Sequence, residues 1–326
     1  MRGGRLWPRS DGEAVPLNAL KDADRALLIG MGGGGDVVGA LALTDLLGDL
    51  STEWVLGGVA WERSPIDPRP GARSLEEIRG GRPCGSAAVL TEGGTTSLDG
   101  VEFSESRMAK HLGRPVLLLD ITVGPRALAA GLAEAASELG CDAIVLLDVG
   151  GDVLAHGDEP GLASPLCDAV VLAAALFLAR SAEVIAAVYG PGCDGELTPD
   201  EVLGRVTELQ SAGALLGAWG LTPQACDLVE SAAEVVPTEA SLNAARCARG
   251  ERGPVPIRGG RRTVQLTPLG ALTFFFDPLA AADAAVPLAT AVSPAASLEQ
   301  AHEALTGMGV RTELELERER AAQASD

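Results

Sequence analysis

The stretch Leu27-Leu28-Ile29-Gly30-Met31-Gly32-Gly33-Gly34-Gly35-Asp36-Val37-Val38-Gly39-Ala40-Leu41-Ala42-Leu43 decides the fold. It opens on a short unbroken apolar run, which reads as a buried strand. The glycines Gly32, Gly33, Gly34 and Gly35 follow, then Asp36, then helix formers to about Leu47. Strand, glycine turn and helix, in that order, is how α/β proteins offer free backbone N–H groups to an anion, usually a phosphate. A tight turn would not need four glycines in a row, which cost backbone entropy on folding. The loop and Asp36 are therefore read as an anion- or ligand-binding segment.

The same alternation continues along the chain. Strands are expected at Trp54–Ala60, Ala87–Thr91, Pro115–Asp120, Ala143–Asp148 and Val184–Tyr189, with helices at Ser104–Leu112, Pro125–Leu139 and Leu166–Ala179. Thr198-Pro199-Asp200-Glu201 begins another helix, with Thr198 as N-cap and acids near the positive end of the dipole. Further helices are expected at Thr222–Val235 and Thr238–Ala248. An Arg/Gly/Pro-rich link spans Arg249–Arg262, and Val264–Asp277 reads as a β-hairpin carrying three phenylalanines into the core or an oligomer contact. Strands that are apolar throughout, alternating with helices, define a doubly wound α/β fold: a mostly parallel sheet with helices on both faces and a small C-terminal hairpin addition. Residues 1–24, with Pro8 and Pro16, are expected to form a polar surface segment. Residues 25–312 are expected to form a single domain, and residues 313–326 a charged tail that frays. The long loop from Pro65 to Arg73 has Arg69 and Arg73 either salt-bridging the surface or clamping an anion as a lid.

Composition narrows the function. The 326 residues carry a formal net charge of −20 and are 47% hydrophobic. So acidic a chain argues against nucleic-acid binding, which needs Lys and Arg to meet phosphates. It leaves room for a small anionic or phosphorylated substrate bound locally, and for a homo-oligomer. No apolar run is long enough to span a bilayer, and the N-terminus lacks the apolar core of a signal peptide, so a cytoplasmic location without membrane partners is expected. The six cysteines form no C-x-x-C pair and are read as small buried apolar residues. Cys193, though in a promising loop, has no visible group to lower its pKa and is not read as a nucleophile. With only His111, His156 and His302, a metal would sit among oxygens, which favours Mg²⁺ or Mn²⁺.

In open α/β sheets ligands bind beyond the carboxyl ends of the strands. There the chain places Asp36, Asp120, Asp148 with Gly150-Gly151-Asp152, and Gly192-Cys193-Asp194-Gly195-Glu196. Gly32 to Gly35, Asp36, Gly150 and Gly151 are expected to hold the ligand. Asp36, Asp148, Asp152 and Asp194 are candidate Mg²⁺ ligands, and Asp152, Asp194, Glu196 and His156 candidate catalytic groups. Asp120 serves equally well as a turn cap, and His156 as a loop hydrogen-bond partner.

Five motifs together, Gly32–Val37, Leu56–Glu62, Asp148–Glu159, Ser164–Asp168 and Asp194–Leu197, resemble the family catalogued as domain of unknown function 1152. The likeness runs from about residue 25 to at least residue 280. It implies one α/β domain and carries no activity with it. Two shorter likenesses stand beside it. Gly34–Gly39 is similar to the Gly-Gly-Asp turn that opens the nucleotide site of phosphofructokinases, without their later aspartate pair. Gly30–Gly35 fits G-x-G-x-x-G, with Glu62 as ribose ligand but farther along than the roughly 20 residues usual for dinucleotide sites. The expectation is therefore a Mg²⁺-assisted hydrolase or transferase acting on a phosphorylated or nucleotide-like metabolite. An NAD-dependent Rossmann oxidoreductase and a non-catalytic ligand-binding or assembly protein are the alternatives.

Overall fold

Arg25–Gly30 forms strand β1, and its alternating residues enter two different cores. Leu27 and Ile29 join one apolar cluster, and Ala26 and Leu28 the other. Helices Pro125–Leu139 and Pro165–Leu178 cover the first face. Helices Asp36–Asp49, Pro223–Ala233 and Ala240–Ala248 cover the second. Burial on both faces is why the central strands carry no polar alternation. The computed structural model describes residues 18–325. The segment with Pro8 and Pro16 lies outside the described residues; behind it Asn18–Asp22 is helical and buries Leu20.

Eight further strands complete the sheet: β2 Glu53–Val59, β3 Arg82–Pro83, β4 Ala88–Thr91, β5 Val116–Leu119, β6 Ala143–Val149, β7 Glu183–Tyr189, β8 Leu215–Gly220 and β9 Leu272–Phe276. Their order is β8-β9-β7-β6-β1-β2-β5-β4-β3. The central strands β7, β6, β1, β2 and β5 run parallel. Antiparallel strands extend both flanks. From β1 the chain winds through β2 to β5, then crosses back to β6 on the other side of β1. The loops after β1 and β6 therefore diverge and open a crevice at the switch point.

Three expectations are corrected. Val264–Asp277 is not a hairpin. Arg262–Leu266 pairs instead with Gly253–Ile257, inside the stretch read as a link, while Leu272–Phe276 enters the main sheet as β9. The 3₁₀ turn Pro268–Ala271, capped by the Thr267 hydroxyl, redirects the chain between them. Phe275 and Phe276 are buried in the core. The C-terminal tail does not fray: Glu313–Ser325 is a helix whose Glu313 and Glu317 are buried. Finally, Arg73 is no lid. Its side chain is 1% exposed and pairs with Asp67 at 2.6 Å, while Arg69 pairs with Glu77 and Asp99. These ion pairs turn the long loop into a strut. Among the described residues no helix is long and apolar enough to cross a membrane.

Candidate functional site

At the carboxyl ends of β1, β6 and β7 lies a cavity of about 180 Å³. Asp36, Asp148, Asp152, Asp168, Asp194 and Glu196 all line it, with Gly32, Gly33 and Gly35. Five of these acids are buried and Asp36 is half-buried. The cavity is smaller than the roughly 300–1,000 Å³ of drug-sized ligand pockets. It suits a small polar group, or the polar end of a larger molecule.

Each acid is placed by the element beneath it. Asp36 is the first residue of the helix after β1, and its Oδ2 accepts from Gly32 N–H at 2.9 Å. Asp148 belongs to β6 itself, and Asp152 opens the 3₁₀ turn that follows. Asp168 lies in the first turns of helix Pro165–Leu178. That helix lacks a side-chain cap of its own; Glu313 of the C-terminal helix accepts from Leu166 N–H and Cys167 N–H at 2.9 and 2.8 Å instead. Asp194 and Glu196 come from the loop after β7.

Two sets of acceptor atoms are close enough to share an ion: Asp36, Asp148 and Asp168 in one, Asp152, Asp194 and Glu196 in the other, each set mutually within 4.8 Å. Several of these atoms lack any protein partner. Asp148 Oδ2, Asp168 Oδ1 and Asp194 Oδ1 are buried without a hydrogen bond. A buried carboxylate oxygen left so is costly, and an oxygen-seeking divalent cation is the chemistry that satisfies it. Asp36 and Asp152 have no atom so orphaned, and Glu196 is the most fully partnered. Ala163 N–H, Ser164 N–H and the Ser164 hydroxyl donate to it, and Arg258 and Arg262 lie at 3.1 and 3.6 Å.

The electrostatics agree. Desolvation pushes the Asp36 carboxyl up to about 7, against the pull of Gly32 N–H and Arg63. Desolvation and the charge of Glu196 hold Asp194 at about 7. Asp148, Asp152 and Asp168 are raised well above the carboxylate range, first by burial and then by their neighbours' charges. So many acids crowded together bind protons unless a cation replaces them.

The glycines have identifiable work. A Cβ on Gly32 would sit 2.6 Å from Asp36 Oδ2 and 3.2 Å from Asp168 Oδ2. On Gly33 it would meet the Trp61 carbonyl at 2.8 Å, and on Gly150 the Asp194 carboxyl carbon at 2.2 Å. Gly151 instead packs on Val202, and Gly34, Gly150 and Gly151 are not part of the lining; Gly150 acts only by admitting Asp194.

Other predicted residues lie elsewhere. His156 Nε2 faces Glu208 Oε2 at 2.9 Å and does not line the cavity. Glu62 is buried, accepts from Ser104 N–H at the start of helix Ser104–Leu112, and also stays outside the lining. Asp120 is a turn cap, accepting from Leu75 N–H and from both the N–H and hydroxyl of Thr122. Cys193 is buried, and its thiol is raised well above the ordinary value by the hydrogen bond with Cys247 and by burial.

Sequence reasoning missed Asp168, Arg63 and Arg258. Asp168 had a signal: it is the single charged residue in an otherwise apolar 14-residue helix. Arg63 stacks over Trp61 at 4.2 Å, donates to the Gly32 carbonyl and pairs with Glu313 at 3.4 Å. Arg258 sits at the hairpin tip with φ +52°, a conformation a long side chain rarely adopts.

Fold and cavity together define a doubly wound α/β protein with a carboxylate-rich pocket at its topological switch point. The chain belongs to the family described as protein of unknown function DUF1152, whose model matches residues 27–321. No curated protein and no solved structure matches the chain.

Proposed function

We propose that this protein is a divalent-cation-dependent enzyme that hydrolyses, or transfers a group from, a small phosphorylated or nucleotide-like metabolite. The observation that carries the reading is the set of buried, unpartnered carboxylate oxygens on Asp148, Asp168 and Asp194 around one cavity. Asp148, Asp168 and Asp194 would hold Mg²⁺ or Mn²⁺, which when bound would supply charge neutralisation at a phosphoryl group and a more acidic water. Phosphoryl chemistry needs little more from a protein than positioning and charge stabilisation. Helix Asp36–Asp49 adds the positive end of its dipole at the cavity wall, and Arg63 and Arg258 supply cationic groups in the lining. The dinucleotide alternative loses its ribose ligand, since Glu62 is engaged at Ser104 and lies outside the cavity.

The test is a thermal-shift screen against nucleotides, sugar phosphates and dinucleotides, each with and without Mg²⁺, followed by turnover assays on the hits. A ligand that binds only the native state raises the melting temperature by mass action. The expected result is a shift requiring both phosphate and metal, with turnover abolished in a folded Asp152→Asn variant. A metal-independent shift with NAD alone would overturn the reading, and metal binding without turnover on any hit would leave a binding protein.

A further inference from the structure

The acidic cavity offers two sets of carboxylate oxygens, more than a single ion takes up. Of the nearby arginines, Arg63 pairs with Glu313, while Arg258 and Arg262 share the one carboxylate of Glu196 and leave one positive charge over. Asp36, Asp148, Asp152, Asp168 and Asp194 remain facing one space. Five aspartates less the one surplus arginine carry about four negative charges when ionised, so one divalent ion leaves about half of them to be held by protons in a desolvated site, where like charges are costly. A second brings the pocket close to balance and lets an anionic group approach.

Resting on the functional reading above, we infer that the cavity holds two divalent cations in seats of unequal strength. The stronger seat is Asp36, Asp148 and Asp168, whose acceptor atoms lie within 4.8 Å of one another. Two of its oxygens, Asp148 Oδ2 and Asp168 Oδ1, are buried and unpartnered, and the two residues are 1% and 2% exposed. The weaker seat is Asp152 and Asp194, where Asp194 Oδ1 is buried and unpartnered. Glu196 lies in the same set, but its oxygens already accept from Ala163, Ser164 and Arg258. Its work is to hold the arginines at the rim. An ion with two protein carboxylates keeps open positions, which is how Mg²⁺ sites recruit substrate phosphate oxygens. Paired ions clamping the attacking and leaving oxygens are an established solution to phosphoryl displacement. The substrate class that follows is a phosphate ester or anhydride presenting at least two oxygens to the pair.

Equilibrium dialysis of the full chain against Mn²⁺ counts the ions. Two per chain are expected, one bound at least about tenfold more tightly than the other, with inorganic pyrophosphate tightening the weaker. Asp168→Asn should abolish the tight ion and Asp194→Asn the weak one, each leaving a single ion; circular dichroism confirms that the variants fold. If Asp168→Asn does not fold, Asp36→Asn makes the same test. One ion in the native chain, lost equally in either variant, overturns the paired arrangement while leaving a metal-dependent protein. No bound Mn²⁺ at all, with or without pyrophosphate, overturns the functional reading itself.

Discussion

At Gly32 a single added methyl group would press on Asp36 Oδ2 at 2.6 Å and Asp168 Oδ2 at 3.2 Å, although its backbone conformation is open to any residue. Gly32→Ala therefore separates folding from ion binding. Overpacking of this kind costs about 1–3 kcal/mol, which a chain of this size tolerates. The variant is expected to melt cooperatively a few degrees lower and to bind Mn²⁺ at least about tenfold more weakly, since displacing even the groups that only orient the ligands costs ~10–100-fold in metal affinity. Calorimetric titration checks it; unchanged affinity would remove Gly32 from the site's construction. Gly150→Ala is more severe, because φ is +125° there and the methyl carbon would meet the Asp194 carboxyl carbon at 2.2 Å. The glycine run was legible as something a side chain would spoil. Which neighbour each glycine admits was not, because Asp168 and Trp61 reach it only through tertiary folding. Asp36, Asp148, Asp152 and Asp194 were legible because strand ends and glycines mark them. Asp168 was hidden inside an apolar helix.

Among the elements, the C-terminal helix Glu313–Ser325 departs furthest from its sequence. Glu-Leu-Glu-Leu-Glu-Arg reads as a solvated charge run, yet two of its acids point inward. Glu313 caps the helix carrying Asp168 and pairs with Arg63; Glu317 accepts from the Trp61 indole at 3.0 Å and from Gly71 N–H at 2.9 Å. Nothing in local charge pattern distinguishes these acids from their exposed neighbours; only the distant groups they meet do. Glu313→Ala strands the Arg63 charge and uncaps two amides. Arg63 is only partly buried and keeps its bond to the Gly32 carbonyl, so the loss is about 1–3 kcal/mol. Asp67→Ala, which breaks the fully buried pair with Arg73, should cost more, about 3–5 kcal/mol. The two variants are expected to differ in Mn²⁺ titration: Glu313→Ala weakens binding by shifting Asp168's helix, and Asp67→Ala leaves it unchanged. Equal effects on binding would make the C-terminal helix a general brace and nothing more.

For the whole molecule, the doubly wound sheet was legible because strands buried on both faces need apolar runs: β5 is apolar throughout, and β1, β6 and β7 carry charge only at their ends, at Arg25, Asp148 and Glu183. The flank was not. β8 (Leu215–Gly220) is an edge strand, with a register shift between Leu215 and Gly217, and its two glycines masked it as a loop. On the proposed reading, the pocket at the switch point makes global stability depend on protons and cations together. Unfolded aspartates titrate near 3.9, whereas native Asp36 and Asp194 titrate at about 7 and Asp148, Asp152 and Asp168 well above their ordinary value. Across that interval the native state binds more protons than the unfolded chain, so the cation-free protein must lose stability as pH rises from about 5 to 8. General repulsion from the net charge of −20 acts in the same direction. It is screened at high salt, while the buried cluster is not. Melting in 0.5 M NaCl therefore removes the surface repulsion; Glu105, buried outside the cavity and likewise raised, contributes in the same direction, so the response to Mn²⁺ is what singles out the cavity. In that salt the melting temperature without divalent ions is expected to fall between pH 5 and pH 8. Saturating Mn²⁺ is expected to raise it little at pH 5, where protons hold the carboxylates, and by roughly 4 °C per bound ion at pH 8, as ~100-fold saturation implies for a chain of this length. A cation shift that is the same at both pH values would mean that Mn²⁺ binds away from these aspartates, and the cavity would lose its place as the ion site.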